Sequence, residues 1–260
     1  MALNNIKCFI LDMDGTFYLG NRLLPGAMEF IDFLKATGRD YLFLTNNSSK
    51  SAAFYADKIR RMGLNDITGD KVFTSGQATA IYLKRQNKGR RVFLVGTQYL
   101  RQELEEYGLI VVDDEPDFVV VGFDTTLTYD KLWKACDFIR EGVTYIATHP
   151  DLNCPVEGGV MPDCGAIIAF IEASTSKQPF IVGKPYGEII KCIFEKTGLG
   201  PQQLAIVGDR LYTDIQTGIN GGITSILVLT GETTVDDLEH SAVKPDYVVD
   251  GIGDIIKLVR

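Results

Sequence analysis

"CFILDMDGTFYLG", residues 8–20, places two carboxylates directly behind an apolar run. The run from Cys8 to Leu11 predicts a buried β-strand, and Asp12 and Asp14 follow it at once. Because alternate residues of an extended chain share one face, the two carboxylates point the same way. Like charges held this close cost free energy unless a cation or a shared proton relieves their repulsion. The segment therefore predicts a strand that ends in a charged site.

Strand-like apolar runs alternate with helical patterns almost from one end of the chain to the other. After the first strand, residues 27–38 carry apolar side chains at helical spacing, and "YLFLT" (41–45) predicts the next strand. The same alternation resumes later, with the strands "QLAIVGD" (203–209) and "ITSILVLTG" (223–231). This repetition predicts an α/β fold with a doubly wound, Rossmann-like parallel sheet covered by helices on both faces. In such a sheet, ligands bind beyond the carboxyl ends of the strands.

The middle of the chain repeats the strand–helix pattern on its own. We therefore predict a smaller α/β domain at residues 77–178, inserted into a larger domain formed by residues 1–76 and 179–260. Within the insertion, residues 151–166 are rich in Pro and Gly and predict a long loop before a helix.

Composition narrows the class of protein. The 260 residues are 45% hydrophobic, which is enough for a sizeable core, and the net charge of −8 disfavours nucleic acid and anionic membranes as partners. No apolar stretch approaches the roughly 20 residues of a membrane span, and the first residues lack the pattern of a signal peptide. The five cysteines form no C-x-x-C motif, so we expect reduced thiols and a cytoplasmic protein.

Polar residues stand at four points where predicted strands end. Each has an ordinary explanation by itself: a D-x-D pair occurs in turns, calcium sites and glycosyltransferases, Asn and Ser cap helices, and a single lysine is usually solvated. Their occurrence together, each after a strand, favours one shared site at the edge of the sheet. The candidate residues are Asp12, Asp14, Thr45, Asn46, Asn47, Lys184, Asp209 and Asp214.

These motifs resemble those of the haloacid dehalogenase (HAD) superfamily of hydrolases. More narrowly, the chain is similar to the NagD-like, para-nitrophenyl phosphatase branch, which carries an α/β cap between the second and third motifs. The four motifs correspond to "DMDGT" (12–16), "LTNNSS" (44–49), "VGKPYG" (182–187) and "VGDRLYTDI" (207–215). The segment "THPDLNCPVEGGVMPDCGAI" (148–167) follows the pattern of the cap. The resemblance thus covers nearly the whole chain.

The resemblance implies a Mg²⁺ site. Its ligands would be Asp12, the backbone carbonyl of Asp14 and Asp209, while Asp214 would orient metal-bound water or Lys184 from behind. Oxygen ligands of this kind suit a small, hard cation that keeps part of its hydration shell. Together with the lysine, the metal would offset the charge of the three side chains and of a phosphate dianion.

The resemblance also implies a two-step phosphatase reaction. Asp12 would attack phosphorus and form an aspartyl-phosphate. Asp14 would first protonate the leaving group and then deprotonate the water that hydrolyses the intermediate. Lys184 would neutralise charge that spreads over the phosphoryl group in the transition state.

The phosphate itself would be bound by Thr45, Asn46 and Asn47 together with Lys184. The expected partner is a small phosphorylated metabolite, with the inserted domain acting as a cap that limits the access of water. The sequence does not determine the oligomeric state, although relatives often form homodimers through their caps.

Two alternatives stay open at this point. A phosphotransferase or mutase would use the same residues but exclude water from the intermediate. A catalytically silent phosphate-binding or regulatory protein would keep the fold without turnover. No Walker motif or nucleophile elbow occurs, so a P-loop ATPase and an α/β-hydrolase are disfavoured.

Overall fold

The computed structural model describes residues 3–156 and 158–259. Its strands are short and mostly buried, as expected for parallel sheets that are covered on both faces. The strands are β1 (Cys8–Leu11), β2 (Tyr18–Leu19), β3 (Arg22–Leu23), β4 (Asp40–Thr45), β5 (Val72–Thr74), β6 (Arg91–Val95), β7 (Ile110–Val111), β8 (Phe118–Val121), β9 (Thr144–Ala147), β10 (Asn153–Val156), β11 (Gly159–Pro162), β12 (Phe180–Ile181), β13 (Leu204–Gly208), β14 (Thr224–Val228) and β15 (Tyr247–Val249).

The α-helices alternate with these strands. Most are amphipathic, and several begin at a threonine whose hydroxyl accepts a hydrogen bond from the first turn, as Thr74, Thr97 and Thr128 do. The helices are α1 (Ala27–Ala36), α2 (Ala52–Arg61), α3 (Ser75–Gln86), α4 (Gln98–Glu106), α5 (Tyr129–Arg140), α6 (Cys164–Thr175), α7 (Glu188–Thr197), α8 (Gln216–Gly221) and α9 (Val235–His240). None of the helices in the described ranges has the length and apolar character that crossing a membrane requires.

Two compact units divide the chain. The larger unit runs up to Thr45, resumes at Ala52–Phe73 and continues from Lys184 onward, while the smaller unit comprises Asn46–Ser51 and Thr74–Gly183. The short segment Asn46–Ser51 thus belongs to the smaller unit, although it lies within residues 1–76, the predicted first part of the larger domain. The assignment of catalytic and cap roles to the two domains stays a prediction.

The sheet of the larger unit confirms the predicted doubly wound α/β fold. Its strand order is β15-β14-β13-β1-β4-β5, with β1 parallel to both of its neighbours. Leu11 pairs with Phe43 on one side and with Val207 on the other. The residues that follow these three, among them Asp12 and Asp209, therefore emerge at the same edge of the sheet.

Aromatic packing fixes β1 in the core of the larger unit. Phe9 is fully buried and meets the ring of Phe30 on α1 edge to face, with 5.3 Å between the ring centroids. Phe17, just after the first motif, packs in the same manner on Phe43, at 4.7 Å. Such pairs contribute beyond their area burial, so the chain that leaves β1 is held from both sides.

The smaller unit has its own parallel sheet, with strand order β12-β9-β8-β6-β7. Helices α5 and α6 pack on one face of it around Cys136, Cys164 and Ile171, which are all buried.

The Pro/Gly-rich residues 151–166 differ from the predicted long loop, because β10 and β11 form an antiparallel hairpin there. Gly158, in the connection, has a φ of 82°, a conformation that glycine adopts without strain.

Candidate active site

The centre of the site is a buried lysine between two carboxylates. Asp12 follows β1, where its backbone N–H donates to the carbonyl of Val207 at 2.9 Å. The ammonium of Lys184 donates to Asp12 Oδ1 and, at 2.6 Å, to Asp214 Oδ1. The lysine side chain is only 5% exposed and that of Asp214 is fully buried, so water screens this contact little.

A third acid brings the site to an excess of negative charge. Carboxylate oxygens of Asp12, Asp209 and Asp214 all lie within 4.8 Å of one another. Burial, and then repulsion by Asp214, raises the pKa of Asp12 to about 7, although Lys184 opposes the shift. The same two causes raise the pKa of Asp209. For Lys184, burial lowers the pKa, but attraction to its two acidic partners outweighs burial and raises it.

This donor set fits a divalent metal ion. It offers carboxylate oxygens without sulfur, the ligand type that Mg²⁺ prefers, and one buried ammonium does not balance three acids. A metal would remove the repulsion that raises the pKa of Asp12 and of Asp209.

Asp209 is held by a close-fitting backbone cradle. Its Oδ2 accepts from the backbone N–H of Glu232 at 2.7 Å, and its Oδ1 accepts from the Thr16 hydroxyl at 3.3 Å. A Cβ at Gly15 would lie 2.5 Å from Asp209 Oδ2, and one at Gly231 would lie 2.0 Å from it. Gly15 also has a φ of 80°, so the glycine of "DMDGT" is required both for its conformation and for the space it leaves.

Asp214 is positioned by a turn of unusual geometry. It lies on the π-helical turn Leu211–Ile215, a type of turn that is frequent at functional sites. Its Oδ2 accepts from the backbone N–H of Arg210 at 3.2 Å. A Cβ added at Gly208 would lie only 2.2 Å from the Cβ of Asp214, so the glycine leaves the space that Asp214 occupies. Both carboxylate oxygens of Asp214 are thus engaged, Oδ1 by Lys184 and Oδ2 by the Arg210 N–H.

Asp14 lies two residues beyond Asp12, and Thr45 ends β4, the neighbour of β1 in the sheet. The Asp14 side chain is exposed, and the turn behind it is closed by a hydrogen bond of 2.8 Å from the Gly15 N–H to the carbonyl of Tyr18. Thr45 is buried at the end of β4, two residues beyond the Phe43 that pairs with β1.

Asn46 and Asn47 belong to the smaller unit, where other groups engage their amides. Asn46 Nδ2 donates to Asp151 Oδ2 at 3.1 Å. Asn47 Oδ1 accepts from the N–H of Ser49 at 2.9 Å, and Asn47 Nδ2 donates to Cys154 Sγ at 3.7 Å. Their predicted role in binding phosphate stays a prediction.

Sequence reasoning missed the residues that support Asp209. Besides Thr16, these include Glu232, whose carboxylate pairs with Arg210 Nε at 2.9 Å and accepts from the Tyr212 hydroxyl at 2.8 Å. Arg210 and Tyr212 lie within the fourth motif, so the sequence could have indicated that they belong to the site. The loop after β14, which carries Glu232, has no motif that would have indicated its role.

Taken together, the parallel sheet and the acid–lysine cluster at the carboxyl end of β1 define a hydrolase of the haloacid dehalogenase class. A family profile described as haloacid dehalogenase-like hydrolase matches residues 9–110, and one described as HAD-hydrolase-like matches residues 181–255. The chain belongs to this family of HAD-like hydrolases.

Relatives in the family cover nearly the full chain. An acid sugar phosphatase of Staphylococcus aureus is 39% identical over 94% of this chain and 95% of its own length. The crystal structure of a 4-nitrophenylphosphatase from Thermotoga maritima has 50% identity and a TM-score of 0.94, with 99% of both chains covered. NagD from Escherichia coli K-12 has 35% identity and a TM-score of 0.90, covering 96% of this chain and 98% of that one. The predicted NagD-like branch and the predicted phosphatase class are thereby confirmed.

The crowding at Gly15 yields a first prediction. We expect Gly15→Ala to lower the free energy of unfolding by roughly 1–3 kcal/mol, because it adds backbone strain and drives a methyl group into Asp209. Phosphatase activity should fall with it, since Asp209 is displaced. Gly20→Ala is the matched control: Gly20 also has a positive φ, 62°, but nothing lies within 4 Å of an added Cβ. Urea unfolding and initial phosphatase rates would be measured. Equal losses of stability and activity in the two variants would contradict the claim that Gly15 leaves the space that Asp209 needs.

The raised pKa of Asp12 yields a second prediction, for protein kept in EDTA. A carboxyl group whose pKa is higher in the folded state than in the unfolded state binds its proton more tightly when folded, so its contribution to stability is lost as pH rises. Between about pH 4 and pH 7 we expect the free energy of unfolding to fall by up to about 1.4 kcal/mol per pH unit from this group.

Asp12→Asn removes the titrating carboxyl group, so the free energy of unfolding of this variant should not show the fall between about pH 4 and pH 7 that Asp12 causes in the wild-type protein. Urea unfolding from pH 4 to pH 8 measures the difference, and parallel pH profiles for both proteins would contradict the assignment.

Proposed function

We propose that this chain is a Mg²⁺-dependent phosphatase that hydrolyses small phosphate monoesters through an aspartyl-phosphate on Asp12. The observation that carries the proposal is the Asp12–Lys184–Asp214 arrangement beside Asp209 at the carboxyl end of β1. A carboxylate that is partly exposed, and held by a buried ammonium, is placed to act as a nucleophile toward a phosphoryl group.

The proposed metal ligands are Asp12, the backbone carbonyl of Asp14 and Asp209. Mg²⁺ bound there would supply the positive charge that lets an anionic carboxylate approach a phosphate dianion. Asp214 acts through Lys184, which it holds with its Oδ1. The cradle formed by Thr16 and the Glu232 N–H keeps Asp209 in one orientation.

The first chemical step is an in-line displacement. A carboxylate oxygen of Asp12 forms a bond to phosphorus while the bond from phosphorus to the ester oxygen breaks. Asp14 gives its proton to the departing oxygen, and its exposed side chain leaves it free to face a leaving group. Lys184 offsets the charge of the phosphoryl oxygens during transfer.

The second step returns the enzyme to its starting state. The carboxylate of Asp14 takes a proton from water, the water oxygen attacks phosphorus, and the bond between phosphorus and Asp12 breaks. Inorganic phosphate leaves and Asp14 is again protonated. Thr45, Asn46 and Asn47 are the proposed partners of the phosphoryl oxygens in both steps.

The proposed substrate is a small phosphorylated metabolite. Curated relatives are acid sugar phosphatases, and a solved relative is a 4-nitrophenylphosphatase, which supports sugar phosphates and simple aryl phosphates as substrates here. We further propose that the smaller domain serves as a cap, that the protein works in the cytoplasm and that it forms homodimers. Exclusion of water before the aspartyl-phosphate forms is the physical advantage of a cap.

The reaction itself yields a third prediction. Purified protein should release phosphate from 4-nitrophenyl phosphate with Mg²⁺ and not with EDTA, because metal and Lys184 together offset the repulsion between nucleophile and substrate. Asp12→Asn should abolish turnover, by at least about 10³-fold, with the fold intact. Asp40→Asn, an exposed acid at the amino end of β4, is the control and should keep full activity. Binding without release, or transfer of phosphate to a second metabolite, would instead indicate a silent binding protein or a phosphotransferase.

The role of Asp14 yields a fourth prediction. Asp14→Asn should lower kcat for an alkyl phosphate by roughly 10²–10⁴-fold, since an alkoxide needs a proton as it departs. The loss should be much smaller for 4-nitrophenyl phosphate in the first step, because nitrophenolate leaves without protonation. Burst kinetics separates the two steps. Equal losses in the first step for both substrates would exclude Asp14 as the general acid.

A further inference from the structure

Lys58 on α2 is a cation that the mechanism above does not use. Its side chain is half-buried, and its Nζ lies 4.1 Å from the centroid of the Tyr18 ring. Tyr18 is itself only 2% exposed and follows the first motif, where its carbonyl accepts from the Gly15 N–H. The cation–π contact with the ring therefore holds the partly desolvated ammonium beside the turn that carries Asp14.

Lys58 forms no salt bridge within the part of the chain that the structure describes. Within residues 3–156 and 158–259, no carboxylate lies at ion-pairing distance from it, whereas its helix neighbour Asp57 pairs with Arg60 at 3.1 Å and with Arg61 at 2.5 Å. Burial lowers the pKa of Lys58, and attraction by Asp14 opposes that shift. Since burial outweighs the attraction by Asp14, the charge of Lys58 is compensated only in part, and an incoming anion would compensate it further.

The position of Asp14 indicates which part of a substrate Lys58 would meet. Asp14 is the proposed proton donor, so it faces the oxygen of the leaving group rather than the transferred phosphoryl group. Lys184 is already engaged by Asp12 and Asp214 on the side of the nucleophile. Lys184 is thus occupied beside the nucleophile, whereas Lys58 lies over Tyr18, beside the turn that carries Asp14 and hence the leaving group.

We infer that Lys58 determines substrate specificity by binding a second anionic group, a carboxylate or a further phosphate, on the leaving group of the substrate. The preferred substrates are then phosphate monoesters of acidic or doubly phosphorylated small molecules. This inference rests on the proposed phosphatase function. In a protein with a net charge of −8, a half-buried cation at the leaving-group side also attracts such substrates locally.

Matched substrate pairs test the inference. 3-Phosphoglycerate and glycerol 3-phosphate share a three-carbon skeleton and differ in one carboxylate, while fructose 1,6-bisphosphate and fructose 6-phosphate differ in one phosphate. The wild-type enzyme should prefer, in at least one pair, the member that carries the additional anionic group. Lys58→Met should lower that preference about tenfold, mainly through KM, and leave the less charged member within about twofold. Lys58→Arg, which keeps the charge, should retain the preference.

Lys71 supplies the control. Its Nζ also lies over a tyrosine, 5.5 Å from the ring centroid of Tyr41, but it pairs with Asp40 at the amino end of β4, the edge of the sheet away from the site. Lys71→Met should leave both preferences unchanged.

Several outcomes would overturn the inference. They are a wild-type enzyme with no anionic preference, equal losses on both members of a pair in Lys58→Met, and an effect of Lys71→Met as large as that of Lys58→Met. Equal losses would mean that Lys58 acts only through Asp14. Hydrolysis of 4-nitrophenyl phosphate by the wild-type protein reports on the phosphatase function separately, so its absence would count against that function and not against the lysine alone.

Discussion

The structure of the site depends on one buried contact, the ammonium of Lys184 between the carboxylates of Asp12 and Asp214. Breaking either half would leave an uncompensated charge in a region with little water, which costs several kcal/mol. The contact ties the end of β1 to the segment that precedes α7 and to the π-helical turn after β13. Three distant parts of the chain are therefore held in register by charge as well as by the hydrogen bonds of the sheet.

The charged side chains of the site carry the same sign of net charge as the whole protein. The chain is acidic as a whole, and the three acids of the site would by themselves repel a phosphate ester. The positive charge that phosphate chemistry needs here would come from buried Lys184 and from the proposed metal ion, and in a region with little water each acts more strongly than it would on the surface. Surface ion pairs such as Lys35–Asp66, with both side chains well exposed, contribute little by comparison.

Strand periodicity was sufficient to predict the larger sheet and the meeting of Asp12 and Asp209 at its edge, but not the position of Lys184, which follows β12, a strand of the other sheet. Cys8–Leu11 and residues 41–45 are apolar runs that end in polar residues, and parallel pairing brings such ends together. The cradle around Asp209 could not be predicted, because the N–H of Glu232 comes from a loop without a distinctive composition. The hairpin β10–β11 was missed because Pro155 and the glycines mask its alternation, and the grouping of Asn46–Ser51 with the smaller unit arises from contacts distant in sequence.

The discontinuity of the larger unit has a consequence for biosynthesis. β1 leaves the ribosome well before one of its two neighbours in the sheet, β13, because 193 residues separate Thr16 from its partner Asp209. At about 5–20 residues per second, translation leaves that edge of β1 unpaired for roughly 10–40 s. During this interval a fully apolar strand is open to mispairing in the nascent chain, which makes it a natural binding segment for a chaperone.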